Sequence, residues 1–592
     1  MHILNGMILY RAKAEIYTRV HILKFVSVYE RYRNVSNRRC SLENSSHNCH
    51  RDISKASCPY FVTTPIFYVN AAPHIGHLYS VVLADAASIW QRLLGNSVLF
   101  STGTDEHGLK IQQAAQKADM PSLEYCDTMS DKFRVLFNKA GIGYSDFIRT
   151  TETRHKEAVQ EFWRVLHGKG YIYKGVYHGW YSVSDEAFLT EEETKEISTA
   201  GGTKIRVSAE SEQPVTWMEE KNYMFKLSDF KSELTRWLDR GVIQPQIFEG
   251  SVRKLLQDLP DLSVSRQRDR LSWGIPVPND DTQTIYVWLD ALVNYLTVAG
   301  YPHAGFTWPP NCQIVGKDIL KFHAIYWPAF LMAANLEPPR QILCHSHWTV
   351  EGVKMSKSRG NVVDPMDRID KYTSDAFRYF LLREGVTHSD GNYRDQQVIN
   401  YINSDIVNTL GNLLSRSTSL SVNPEQIFPY LDKEMYMKHI TGYDRETFEN
   451  IELLFDEVDR NYSHFNFYKG IENIMSYLHW ANGLVQEHKA WELAKSSSDI
   501  DHLHLKVVLH IVLETLRVSG ILLQPIIPNI ACKLLNRLGI PPGKRLAEHS
   551  RKPYLNSPNL ILGPNKGILF NKIAEKKLAD SLGVIIWHRD SP

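Results

Sequence analysis

Between residues 61 and 101 the chain switches from strand patterning to helical patterning and back, and that switch restricts its possible folds more than any other feature. Residues 61–69 are rich in Thr, Ile, Phe, Tyr and Val, side chains that suit a pleated strand. Leu78, Val82, Ala86, Ile89 and Leu93 then recur at spacings of three and four, which predicts one apolar helix face, stopped by Gly95. Residues 98–101 read as a second short strand and 109–118 as a second helix. Strands joined through a helix pair in parallel, since only a parallel pair needs so long a crossover. The expected fold class is therefore α/β, with helices covering a parallel sheet. In such sheets ligands bind beyond the C-terminal strand ends. Here those ends lead into His74-Ile75-Gly76-His77 and Gly103-Thr104-Asp105-Glu106-His107-Gly108, so connectivity alone brings the two loops together.

Between about Gly170 and Leu262 the periodicity weakens into acidic and Gly/Ser-rich pieces, including Glu191 to Glu196 and Gly201-Gly202. We read residues 171–262 as an inserted subdomain between the two halves, 58–170 and 263–399, of one sheet domain. The α/β pattern resumes with strands predicted at 284–289 and 313–315, each leading into a helix, and at 341–345. From Asn400 to Leu538 the pattern is helical, with Ile406, Leu410, Leu413 and Leu414 repeating before Arg416. Residues 400–545 thus form a helical-bundle domain, followed by an extension at 546–592.

Charge is unevenly spread. Residues 1–57 hold ten Lys/Arg against four Asp/Glu, while the rest of the chain holds 57 against 62. Any nucleic-acid contact must therefore use local patches. The leader is also Ser/Asn-rich, with Arg11, Arg19, Arg31, Arg33, Arg38 and Arg39, a composition that fits a mitochondrial transit peptide and delivery to the matrix, the alternative being a disordered basic arm that binds RNA. Lys24 interrupts its apolar stretch, which disfavours a secretory signal. No stretch approaches the ~18 uncharged apolar residues of a membrane span. Seven cysteines are scattered without a Cys-x-x-Cys pair, so neither a disulfide framework nor a zinc knuckle is expected.

Two segments carry phosphate chemistry. At a strand-to-helix corner, His74-Ile75-Gly76-His77 combines free helix N–H groups, a glycine that admits close approach, and two imidazole donors. Pro73 precedes it. A His-x-x-His pair also suits a metal, but no third ligand of matching spacing follows. The second segment, Lys354-Met355-Ser356-Lys357-Ser358-Arg359-Gly360-Asn361, sets two lysines three apart among small hydroxyl residues, as in a mobile clamp on triphosphate oxygens. No Gly-x-x-x-x-Gly-Lys-Ser/Thr occurs, which excludes a P-loop enzyme.

In this order, and with about 280 residues between them, the two segments resemble the paired signatures of class I aminoacyl-tRNA synthetases. Phe67-Tyr68-Val69-Asn70, the 103–108 loop, Trp273-Gly274-Ile275-Pro276, Tyr286-Val287-Trp288-Leu289-Asp290-Ala291, Gly316-Lys317-Asp318 and Phe322-His323 are similar to the methionyl branch of that family. The likeness covers residues 59–545. It implies a Rossmann-like catalytic domain with a connective insert, then an all-α anticodon-binding domain. It also implies activation of methionine by ATP with Mg2+, then transfer from the adenylate to a hydroxyl at the 3′ end of tRNA(Met).

By the same resemblance His74 and His77 serve the α-phosphate and bridging oxygen, and Lys354 and Lys357 the departing pyrophosphate. Pro73, Gly76, Gly316, Asp318, Met355, Ser356 and Ser358 would line the nucleotide site. Asp105 would pair with the substrate ammonium, and Ile66, Tyr68, Trp288, Ala291, Leu292, Tyr295, Ile319 and His323 would surround its side chain. An aromatic wall suits a flexible, polarizable thioether. The insert of about ninety residues is too short for the large editing domain of the leucyl, isoleucyl and valyl enzymes.

Asn412 and Arg416, one helical turn apart, match anticodon-reading positions, and Trp491 a stacking one. Two departures stand out. Ser182 and Asp185 occupy positions where many members carry zinc-binding cysteines, so no structural zinc is expected. Ala71 and Ala490 stand where the family commonly has Gly and Pro. No oligonucleotide-binding module is apparent after Phe570, which leads us to expect a monomer. The rival readings are another class I synthetase such as the cysteinyl enzyme, a catalytically silent RNA-binding relative, and a small-molecule adenylating ligase. The missing cysteines, the intact His and Lys pairs and the long helical region respectively disfavour them.

Overall fold

The computed structural model describes residues 58–574 except 183–186, 190, 199–203, 210, 356–359 and 552–558. The basic leader, Asp185, Ser356, Lys357 and Ser358 lie outside the described residues.

Six strands form the central sheet: β1 (Tyr60–Tyr68), β2 (Val98–Asp105), β3 (Asp146–Arg149), β4 (Ile243–Gln244), β5 (Cys312–Gly316) and β6 (Ile342–His345). Their order is β3-β2-β1-β5-β6-β4, and every pairing is parallel. The order reverses at β1, with β2 on one side and β5 on the other. Along β2, β1 stays paired as far as Tyr68 opposite Asp105, across an irregularity between Thr63 and Ile66. Along β5 it is paired only at Val62 and Thr63. The two strands therefore part early, and the crevice that this opens is the switch point where an open α/β sheet binds its ligand.

Helix α1 (Ile75–Leu93) carries the chain from β1 to β2 and buries Ile75, Leu78, Val82 and Trp90. The predicted strand at 284–289 is corrected. The strand there is Asp280–Ile285, in a separate antiparallel sheet with Ser265–Gln267 and Pro276–Val277. From Val287 the chain is helical, as α2 (Val287–Ala299). The aromatic and β-branched run suits either state locally. Trp288, Ala291, Leu292 and Tyr295 share one helical face, and the helix is buried on nearly every side, with Trp288 half-buried, which decides the matter.

Within the insert, Ile172–Ser182 and Val215–Phe225 pair antiparallel over their full length. Thr194–Ser198 and Lys204–Ser208 form a separate two-stranded sheet. The C-terminal region is helical, as expected. A π-helical segment, Ile402–Gly411, runs into α3 (Asn412–Ser417), followed among others by α4 (Phe467–Glu487) and α5 (Asp499–Leu522). From Val507 to Leu522 every residue of α5 is buried, which makes it the axis of the bundle.

One apolar core runs from Val62 and Leu78 through Phe377 and Phe380 to Leu410 and Leu513, joining the sheet domain to the bundle. Inside it Arg378 pairs with Asp85 of α1 at 2.7 Å, and Arg378 also donates to the Pro525 carbonyl at 3.0 Å. Both charged groups are buried, so the geometry of this joint is specified as well as its burial. No described helix is long and apolar enough to cross a membrane.

Candidate active site

The two histidines cap α1 reciprocally. Nδ1 of His74 accepts the Gly76 N–H at 3.1 Å, and Nδ1 of His77 accepts the His74 N–H at 3.1 Å, a capping box built from imidazoles. The rings stack with centroids 3.7 Å apart, and His77 is wedged edge-on between Phe67 and Phe133. A ring nitrogen that accepts carries no proton, so each neutral ring holds its proton on Nε2. Capping thus sets the tautomer and puts the proton of each neutral ring on Nε2 at a helix N-terminus, where negative charge is already favoured. A Cβ on Gly76 would lie 3.0 Å from His74 Cε1, so glycine gives the ring room to fold back over the helix end.

Asp105 ends β2, about nine-tenths buried and opposite Tyr68. The two residues after it are fastened on both sides. Glu106 is fully buried and accepts from Arg149 (2.6 and 3.0 Å), Thr104 (2.7 Å) and Thr151 (2.5 Å), while its carbonyl accepts Trp273 Nε1 at 2.6 Å. His107 lies 2.7 Å from Asp290, in the first turn of α2, and the other Asp290 oxygen lies 2.8 Å from His155. Burial opposes the Asp290 charge, but His107 and His155 hold its carboxyl down at about 2. This buried His–Asp–His bridge ties the Asp105 loop to the helix that carries Trp288.

On α2, Trp288, Ala291, Leu292 and Tyr295 share a face, with Leu292 and Tyr295 also built into an apolar core. Across from them Trp288 lies flat on Phe322, centroids 3.6 Å apart. The Tyr295 hydroxyl is 2.7 Å from His323 Nε2, and His323 Nδ1 is 3.0 Å from the Ile319 carbonyl. A carbonyl only accepts, so Nδ1 carries the proton and Nε2 takes the tyrosine O–H. Burial lowers the His323 pKa to about 4, which keeps this wall uncharged at neutral pH.

An unfolded histidine titrates near ~6.5, so the stability associated with neutral His323 is fully present above that pH and is lost as pH falls toward 4. By pH 5 the wild type should have lost ~2 kcal/mol through this group. A His323→Gln variant, which keeps an acceptor for Tyr295, should show a smaller fall in melting temperature between pH 7 and 5. Equal falls in the two proteins would refute this.

Gly316 closes β5 opposite His345 of β6, and a Cβ there would meet Asp318 Oδ1 at 2.7 Å. His345 reaches Ser80 Oγ of α1 at 2.8 Å. The predicted nucleotide residues Pro73, Gly76, Gly316 and Asp318 therefore converge where α1, β5 and β6 meet. Beyond β6, Trp348–Val350 and Val353–Lys354 form a tight hairpin through Gly352 (φ +78°). That places the Lys354 backbone past the C-terminal end of the sheet. Met355 is half-buried against the core.

In the bundle Asn412 is exposed at the start of α3, and the Arg416 guanidinium lies over the Trp491 ring at 5.6 Å. Lys489, in the left-handed conformation (φ +46°), turns the chain before buried Ala490. Among the described residues no cluster of three His, Cys, Asp or Glu is placed to hold a metal ion. Sequence reasoning assigned no role to Glu106, His107, His155 or Phe322. Glu106 and His107 stood beside Asp105, and Phe322 beside His323, but the His107 and His155 partner, Asp290, is 183 and 135 residues away.

The family described as tRNA synthetases class I (M) matches residues 60–418, more than half of the chain. The chain belongs to this family. Among curated relatives, the mitochondrial methionine--tRNA ligase of Homo sapiens is 49% identical over 87% of this chain and 91% of its own length. The methionine--tRNA ligase of Rickettsia felis is 41% identical over 85% and 97%. Among solved structures, Mycobacterium tuberculosis methionyl-tRNA synthetase in complex with methionyl-adenylate is 37% identical, with a TM-score of 0.81 over 86% of this chain and 99% of that one. The apo form of the same enzyme gives 0.75 over 88% and 99%, at 33% identity.

Proposed function

We propose that the chain is a methionine–tRNA ligase of the mitochondrial matrix. It joins methionine to ATP, taken as the Mg2+ complex, to give methionyl-adenylate and pyrophosphate, then esterifies the 3′ end of tRNA(Met). The observation that carries this reading is the convergence at one switch point of the His74/His77 donors, Asp105 and the Trp288–His323 wall. The mitochondrial and methionine-specific names of the relatives support it.

Positioning does most of the chemical work. Asp105 holds the substrate ammonium by a charge-assisted contact. The uncharged wall of Trp288, Ala291, Tyr295 and His323, with Ile66, Tyr68, Leu292 and Ile319, takes the thioether. So placed, the substrate carboxylate attacks the α-phosphorus in line. His74 and His77 donate from Nε2 to the oxygens that gain charge. Lys354 and Lys357 neutralise the departing pyrophosphate, while Gly316 and Asp318 seat the adenosine. Residues 58–170 and 263–399 form the catalytic domain, 171–262 the insert, which returns to lend β4 to the edge of the catalytic sheet, and 400–545 the anticodon domain. There Asn412, Arg416 and Trp491 offer polar edges and a stacking face to unstacked bases.

ATP–pyrophosphate exchange across an amino-acid panel tests the reading. Methionine alone should drive exchange strongly, and its failure to do so would reject the assignment. Trp491→Ala should cut tRNA charging by about tenfold or more, consistent with ~1–3 kcal/mol per stacked base, and leave exchange near normal. Loss of both activities would remove Trp491 from the RNA site. A monomer is expected by light scattering.

A further inference from the structure

The acidic run in the insert is a clamp in the structure. Glu191, Glu192 and Glu193 make one 3-10 turn, and each carboxylate meets a cation from a different element. Glu191 pairs with Arg206 of the neighbouring hairpin and accepts Trp180 Nε1 at 2.8 Å. Glu192 lies 3.6 Å from Lys254 of the helix Glu249–Leu255, and both side chains are exposed. Glu193 pairs with Lys321, and here both side chains are largely withdrawn from solvent, at 20% and 23% exposure. The Glu193 carbonyl also accepts the Ala209 N–H at 2.8 Å, fastening the turn to the hairpin.

Lys321 is two residues from both Ile319 and His323, and its ammonium lies 5.4 Å from the Tyr326 ring. Tyr326 packs edge-on against Phe322 at 5.4 Å, and Phe322 stacks on Trp288. A continuous series of contacts thus runs from the insert through Lys321, Tyr326 and Phe322 to the wall of the proposed methionine pocket.

We propose that Glu193 and Lys321 are positioning residues for amino-acid binding: their ion pair docks the insert against the segment 319–326 and holds Phe322 and Trp288 in place. Glu193 and Lys321 do not touch substrate in this account, and the account rests on the methionine pocket proposed above. An exposed pair such as Glu192–Lys254 contributes little, whereas breaking a largely buried one leaves an uncompensated charge.

The test is methionine-dependent ATP–pyrophosphate exchange with wild type, Glu193→Gln, Lys321→Met, Lys321→Arg, the charge-exchanged pair Glu193→Lys with Lys321→Glu, and Lys254→Met. Thermal unfolding is recorded for each protein. Glu193→Gln and Lys321→Met should raise the methionine KM about tenfold, the ratio that ~1.4 kcal/mol gives, with kcat within about twofold and the ATP KM unchanged. Lys321→Arg and Lys254→Met should stay near wild type, and the exchanged pair should return the methionine KM to within about threefold.

A methionine KM unmoved in both single variants would overturn the proposal. So would an equal rise in the ATP KM, or an exchanged pair that folds but does not recover. A wild-type chain without methionine-dependent exchange would overturn the proposed function as well. Normal wild-type exchange with unmoved variants overturns this inference alone.

Discussion

Replacing His77 with alanine should slow methionine-dependent ATP–pyrophosphate exchange by about 10²–10³-fold, the range seen when one preorganised donor to a developing oxyanion is removed. His77 has two jobs that the variant abolishes together. Its Nδ1 caps the His74 N–H, and that acceptance keeps the proton on Nε2. Capping loss by itself costs ~1 kcal/mol of stability and would not produce so large a fall in rate. The same separation can be made at the partner residue. His74→Asn keeps a short acceptor at the N-cap, so the melting temperature should stay near wild type while exchange still falls by about a hundredfold. His74→Ala should lose both. Single-turnover adenylate formation is the direct readout, and a His74→Asn enzyme with near-normal kcat would remove His74 from the chemical step.

The second large effect is expected at Asp105. Asp105→Asn is nearly isosteric, so the β2 register opposite Tyr68 and the buried Glu106–Arg149 contacts should survive. What disappears is the charge proposed to face the substrate ammonium, at a position about nine-tenths buried. Truncating one partner of such a pair costs about 2–5 kcal/mol, so the methionine KM should rise by ~30-fold or more with the ATP KM little changed. A methionine analogue lacking the amino group should bind weakly to wild type and equally weakly to the variant, because neither complex contains the pair. If the variant weakened that analogue as strongly as methionine, Asp105 would be acting through pocket shape and the assignment would fail.

Much of this was legible in the sequence because it is locally encoded. The strand-favouring residues before Val69, the three-and-four spacing from Leu78 to Leu93 and the Gly95 stop depend on neighbours within a few residues. They determined a parallel sheet whose strand ends bear His74–His77 and Asp105. The 286–289 run was ambiguous, since Tyr, Val, Trp and Leu suit a strand or a buried helix equally. Only packing of the Trp288–Tyr295 face against the segment after β5 resolved it.

The tertiary structure also decided which protons and charges are available. His323 is neutral because burial outweighs the hydrogen bond to the Ile319 carbonyl, which by itself favours the charged ring, and Asp290 is ionised because His107 and His155 reach it from distant parts of the chain. Likewise, the run from Glu191 to Glu193 joins the pocket wall only because the insert folds back onto Lys321. By itself the sequence determined which reactive groups the chain carries and the order in which one sheet presents them. Their protonation states and supports were decided by the fold, because desolvation and Coulomb pairing depend on distance in space, and the partners of Asp290 and Lys321 lie about 130 to 180 residues away along the chain.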